Sequence, residues 1–263
     1  CDGIDPDHSR DVEIRNCDIV CGDDAIVVKA SRAFENHGET ANIHVHDCTI
    51  ETQDSGLKVG TETTRAIHHV RFERCTIRSS CRGLNIQLRD EADVHDILFR
   101  DITFKSRYHS DPWWGRGEAI SFTAVPRTEG AKLGQIRNVR LENVTGVAEN
   151  SVRISGCKES RIRDVAFDNV AVTLDRETKY RGGLWDNRPT TSSYPRIEEH
   201  GNPGIHVRFA DRVSLRRCRI AWGANRPDYF THALEAHDVT GLSYPDFTSE
   251  SAHPGRVAAV AVR

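Results

Sequence analysis

No methionine occurs in the 263 residues, and the chain begins at Cys1. Both facts point to a fragment or processed product whose start is missing, so the lack of a leader does not exclude export. No apolar run approaches the roughly 20 residues of a membrane-spanning helix, and none resembles a signal peptide. Charge of one sign is scarce as well: charged residues make up 29%, but the net charge is −3. No global field therefore steers the chain to nucleic acid or to a membrane surface. Apolar residues nowhere keep a helical period over three turns, and Asn-Gly hairpin signals are missing between strand-like runs. A helical bundle and an antiparallel sandwich are both disfavoured.

What is present is a short phrase that keeps returning. It reads Ile14-Arg15-Asn16-Cys17-Asp18-Ile19, then Val45-His46-Asp47-Cys48-Thr49-Ile50, then Phe72-Glu73-Arg74-Cys75-Thr76-Ile77. Later versions start at Phe99, Leu141, Phe167 and Leu215. The first five spacings between the Cys17-equivalent positions are 31, 27, 27, 42 and 26 residues. A short spacing reads as one coil, and a long one as a coil with an inserted loop or as two coils. Each phrase alternates apolar and polar residues, the mark of a half-buried strand. A second short strand follows most phrases, at Ala25-Ile26-Val27-Val28, Gly56-Leu57-Lys58-Val59, Gly83-Leu84-Asn85-Ile86 and Ser151-Val152-Arg153-Ile154.

Strands at coil spacing, joined by Gly, Asn, Asp and Ser turns, predict an all-β parallel β-helix. It is expected to occupy residues 1–263 as one domain, with loop excursions near 105–118 and 176–203 and no linker. Four of the eight cysteines, Cys17, Cys48, Cys75 and Cys218, share one place in the phrase. They are read as small buried apolar residues rather than as a disulfide framework or metal ligands. Cys21 and Cys81 follow no such pattern.

Asp2 and Asp23 lie 21 residues apart, and Asp24 follows at once. A coil of that period stacks them on adjacent strands, about 4.8 Å apart. Three carboxylates on one surface repel unless they are solvated, bound to a cation, or used. Acid–base cleavage of a glycosidic bond is one such use. Asp5 and Asp7 are expected only to cap their own turns. His44-Val45-His46 and His68-His69 lack a Cys or carboxylate at matching spacing, so a surface strand is expected there rather than zinc. No metal or cofactor is expected.

Several of these stretches resemble successive motifs of the polygalacturonase family, glycoside hydrolase family 28. They are Asp2-Gly3-Ile4-Asp5-Pro6-Asp7, Gly22-Asp23-Asp24, the run from Gly56 to Glu62, and Arg82-Gly83-Leu84-Asn85-Ile86-Gln87. The similarity holds in order and spacing over most of residues 1–105; beyond that only the rhythm of the coil matches. The resemblance implies a right-handed parallel β-helix, here lacking its N-terminal coils, that hydrolyses pectin-type polysaccharides with inversion. It also implies a secreted or periplasmic location. Carried onto this chain, it makes Asp23 the general acid and gives Asp2 and Asp24 the task of holding and activating water. Crowding agrees with those roles, because it raises one carboxyl's pKa at the expense of the others. For inversion the acid and base are expected about 6.5–9.5 Å apart.

Two departures bear on the substrate. Ser55 stands where the family has a histidine, and Asn85-Ile86-Gln87 stands where it has Arg-Ile-Lys. An amide cannot neutralise a uronate carboxylate as a guanidinium does. Lys29, Lys58 and Arg89 are the candidate replacement cations. Glu62, Ser55, Asn85 and Gln87 are the other candidate substrate contacts, and Trp113 and Trp114 offer flat faces to a sugar ring. A neutral sugar or a rhamnose-containing pectin backbone is thus expected as the substrate at least as readily as plain polygalacturonate. The expected partner is a polysaccharide or oligosaccharide, and a monomer is expected. Two rival readings are a calcium-dependent polysaccharide lyase, with the three aspartates as ligands, and a non-catalytic carbohydrate-binding solenoid.

Overall fold

The alternation closes into coils. A computed structural model describes residues 1–263, and in it strands pair in parallel from coil to coil as a right-handed parallel β-helix. Helix is confined to one 3-10 segment, Arg32–His37.

One wall of the coil concerns function. Its strands are Ile26–Ala30, Ser55–Thr63, Arg82–Leu88, Glu118–Ala124 and Asn150–Ser155, continued by the starts of Ile205–Arg216 and Leu234–Ser243. Register stacks Ile26, Leu57, Leu84, Ile120, Val152, Ile205 and Leu234 in one buried column. Side chains alternate across a strand, so the residue after each member faces outward. Outward positions on this wall carry the polar residues that the sequence reading singled out.

The recurring phrase is not one straight strand. It bends at the residue before the cysteine position, where Asn16, Asp47, Arg74, Asp101, Asn143, Asn169 and Arg217 have φ between 49° and 58°. A second stack of left-handed corners lies five residues earlier, at Asp11, Asn42, His69, Asp96, Asn138, Asp164 and Arg212. Asn and Asp tolerate this conformation because their short side chains hydrogen-bond locally. Here they also bond between coils: Asn42 Nδ2 donates to Asp11 Oδ1 at 2.9 Å, and Asn143 Nδ2 to Asp101 Oδ1 at 2.9 Å. Alternation slips at each bend, where two outward residues follow one another, as Arg100 and Asp101 do between buried Phe99 and Ile102; reading the phrase as plain alternation misses the corner.

A core of 54 buried residues runs from Ile14 to Ala252. Phe72 stacks on Phe99 at 5.0 Å, and Phe99 on Phe122 at 5.9 Å. Cys48, Cys75 and Cys218 are buried as expected, Cys17 is half-buried against the core, and all eight cysteines are free. Phe99 pairs directly with Leu141 and Phe167 with Leu215, so each long spacing is one coil with an insertion. The excursion near 176–203 contains its own antiparallel pair, Leu184–Asp186 with Ile197–Glu199, which the sequence did not signal.

Candidate active site

The Asp2 rung lies directly against the Asp23-Asp24 rung. Gly3 N donates to Asp24 O and Ile4 N to Ala25 O, both at 2.9 Å. A Cβ on Gly3 would come within 2.4 Å of Ala25 O, so only glycine permits this approach. One carboxylate oxygen from each of Asp2, Asp23 and Asp24 lies within 4.8 Å of the other two. All three line a groove of about 370 Å³ on the outward face of the wall described above. A larger depression, about 620 Å³, lies on another wall near Asn42 and Arg71. Its only acids are Asp96 and Glu142, so it lacks such a cluster.

Each aspartate has a different environment. Asp24 is buried, accepts from Lys58 Nζ at 2.5 Å, and accepts from Ser55 N at 3.2 Å. Asp2 is half-buried, which alone would raise its pKa; Lys29, 2.6 Å away, outweighs burial and holds it below the usual range. Asp23 accepts from the backbone N of Asp24 at 3.0 Å, and its pKa is raised, first by burial and then by the charges of Asp24 and Asp2. The cluster thus separates its members as the crowding argument requires.

Two further carboxyls join them. Asp5 shares Lys29 at 2.6 Å and is pushed up to about 6, chiefly by burial. Asp54 lines the groove, is 4% exposed, and accepts from Arg82 Nη1 at 3.0 Å. Burial raises it to about 7 against the pull of Arg82, with the charge of Asp24 adding to the rise.

The other expected site residues divide into two groups. Lys29, Lys58, Glu62, Trp113 and Trp114 line the groove with the aspartates. Ser55, Asn85 and Gln87 are buried beneath it instead. Ser55 Oγ donates to Asp54 Oδ1 at 3.1 Å and accepts from Asn85 Nδ2 at 3.0 Å. Gln87 Oε1 accepts from Thr61 Oγ1 at 3.0 Å. Arg89 corrects the sequence reading: it is 0% exposed and cannot meet a substrate. Its guanidinium donates to Pro189 O, Leu88 O and Thr123 O at 2.9–3.1 Å, anchoring the excursion to the coil. The insertions cover it, and nothing in its local sequence signals that.

Sequence reasoning missed Asp54, Thr61, Arg127 and Pro189, all on the groove wall. Asp54 had a signal, since it directly precedes Ser55 in the stretch matched to the family's histidine motif. Arg127 and Pro189 arrive on insertions and had none. Arg127 donates to Asp90 at 2.8 Å, so each cation lining the groove already has an acidic partner.

No curated protein matches the chain. Among solved structures, its fold is similar to that of the Yersinia enterocolitica family 28 exopolygalacturonase, with a TM-score of 0.63 at 13% identity. That match covers 92% of this chain but only 38% of the Yersinia chain. Residues 1–182, more than half of the 263, match Glycosyl hydrolases family 28, and with its stacked carboxylates on a parallel coil the chain belongs to that family.

Proposed function

We propose that the chain is an inverting glycoside hydrolase acting on pectin-type or related polysaccharides, or on oligosaccharides released from them. The observation that carries this is the convergence of Asp2, Asp23 and Asp24 within 4.8 Å, with Asp23 raised and Asp2 lowered in pKa. Asp23 gives its proton to the glycosidic oxygen as the bond to the anomeric carbon breaks. Water held by Asp2 and Asp24 attacks that carbon from the opposite face, and its proton passes to Asp2. Trp113 and Trp114 supply flat walls for the sugar rings.

The oxygens lie closer together than the ~6.5–9.5 Å usual between acid and base carboxyls in inverting enzymes. A retaining route would need Asp2 or Asp24 to bond the anomeric carbon. Lys29 and Lys58 occupy one oxygen of each at 2.6 and 2.5 Å, which favours water as the nucleophile. The anomer first released, read by NMR, distinguishes the two routes.

The paired state of Lys29, Lys58 and Arg127 favours a neutral ring, such as a rhamnose unit, over a uronate at the cleavage point. The same lysines take the neutralising role that calcium would have in a lyase, so hydrolysis is the better reading. The test is Asp23→Asn, assayed for reducing ends on a panel of pectins and defined oligosaccharides. Loss of a general acid should cost ~10²–10⁴-fold in rate; unchanged activity removes Asp23 from the mechanism. An unsaturated product absorbing in the ultraviolet would instead support the lyase, and binding without turnover the carbohydrate-binding solenoid.

A further inference from the structure

The face that carries the groove continues past it. Register sets Lys58, Asn85, Ser121, Arg153, His206 and Glu235 in one outward column, one residue per coil. Lys58 stands in the acidic groove, whereas His206 and Glu235 lie at the far end. There the excursion that ends near residue 203 folds back and brings His200 over the column. A ring nitrogen of His200, a ring nitrogen of His206 and a carboxylate oxygen of Glu235 lie within 4.8 Å of one another. His237, two residues after Glu235, places its Nε2 2.6 Å from Glu235 Oε1.

The hydrogen bonds around this cluster leave lone pairs without donors. Nδ1 of His200 contacts the carbonyl oxygen of Gly201. A carbonyl only accepts, so that nitrogen carries the proton, and a neutral ring then presents a bare Nε2. This Nε2 lies 3.8 Å from Glu235 Oε1, so two acceptors sit side by side. A backbone carbonyl orienting the far nitrogen is also the usual support of a metal-bound imidazole. His206 is 1% exposed, and its Nδ1 has no hydrogen-bond partner. The neutral imidazole is the form that binds metal. Of the two arginines beside His206, Arg208 donates to Glu198 at 2.9 Å and Arg153 Nη2 to Asn187 at 2.7 Å, while Nε and Nη1 of Arg153 have no partner.

We propose that His200, His206 and Glu235, with His237 as a fourth ligand, form a zinc site that ties the excursion to the coil. Imidazole and carboxylate are ligands that zinc takes at about 2.0–2.2 Å. Closing the cluster onto such an ion draws its ligand atoms inward by roughly an ångström from their present spacing. His200 sits on the insertion and His237 is partly exposed, so both have room to make that movement. The ion would neutralise Glu235 and satisfy the free imidazole nitrogens together.

The test is a zinc titration of the metal-stripped full chain, by calorimetry and by melting temperature. One zinc per chain is expected, with a Tm that rises with the logarithm of free zinc. Glu235→Gln and His200→Asn should each abolish both effects while circular dichroism shows the β-helix intact. His44→Asn, in the separate Glu13, His44 and His46 cluster, and Asp23→Asn, in the groove, should leave both unchanged. Absence of zinc binding overturns the proposal. So does binding that survives Glu235→Gln, which would mean thiols or another cluster hold the ion. A Tm that responds to pH alone, and not to zinc, overturns it in favour of histidine–glutamate ion pairs.

Discussion

Removing the Lys29 ammonium with Lys29→Met should move the acid limb of activity. Lys29 Nζ donates to Asp2 and to Asp5 at 2.6 Å each, from a side chain 18% exposed. Hydrogen bonds to charged groups are worth about 1.5–3 kcal/mol, and the partial exposure of Asp2 argues for the lower end. One pKa unit corresponds to ~1.36 kcal/mol, so Asp2 should titrate about one unit higher in the variant. If Asp2 takes the proton from water as proposed, kcat/KM should fall about tenfold at pH values on the acid limb and stay near parental above it. Reducing-end release measured across the pH range checks this. An acid limb that does not move would refute the pairing of Lys29 with a working Asp2.

Stability gives a second reading of the same variant. Asp2 is held below its ordinary 3.8, so its contribution is present above that value and lost as pH falls through the lower folded value. Asp5 is raised to about 6, so its contribution is present below 3.8 and lost as pH rises through about 6. Without Lys29 both carboxylates stand charged and unpaired above that window. Urea denaturation should therefore show the greatest loss for Lys29→Met above about pH 6, and little loss in acid.

Other perturbations test the surroundings of the groove. Arg82 is 1% exposed and lies 3.0 Å from Asp54, 3.8 Å from Glu118 and 3.7 Å from Asp186. Arg82→Met leaves those charges uncompensated and should cost ~3–5 kcal/mol by urea denaturation; a loss below ~1 kcal/mol would contradict the network. Asp54 is raised to about 7, so the stability it lends in acid is lost as pH climbs from 3.8 through 7. Asp54→Asn should flatten the stability profile over that interval, and an unchanged slope would remove Asp54 as its source. Trp114 is 39% exposed on the groove wall. Trp114→Ala should raise KM several-fold at constant kcat with little change in Tm, whereas unchanged KM would make it a bystander.

The coil and the carboxylate cluster were both legible because each depends on a local repeat. Alternation at period two marked the strands, and the Cys17, Cys48 and Cys75 spacing marked the coil. The 21-residue interval from Asp2 to Asp23 then placed side chains on neighbouring rungs without any knowledge of the rest. The left-handed corners at Asn16 and its equivalents were misread as plain strand, although each is marked by two polar residues in a row, such as Arg100-Asp101 and Glu142-Asn143. What the groove offers a substrate depended instead on insertions, whose packing no local pattern records. The segment near 176–203 buries Arg89, delivers Pro189 to the groove wall and carries His200 to Glu235. Burial and charge pairing are properties of neighbours remote in sequence. The chain's own order therefore determined where the acids stand, and only the tertiary structure decided the rest: contacts between coils pair Lys29 and Lys58 and set how the acids titrate, and the insertions hide Arg89.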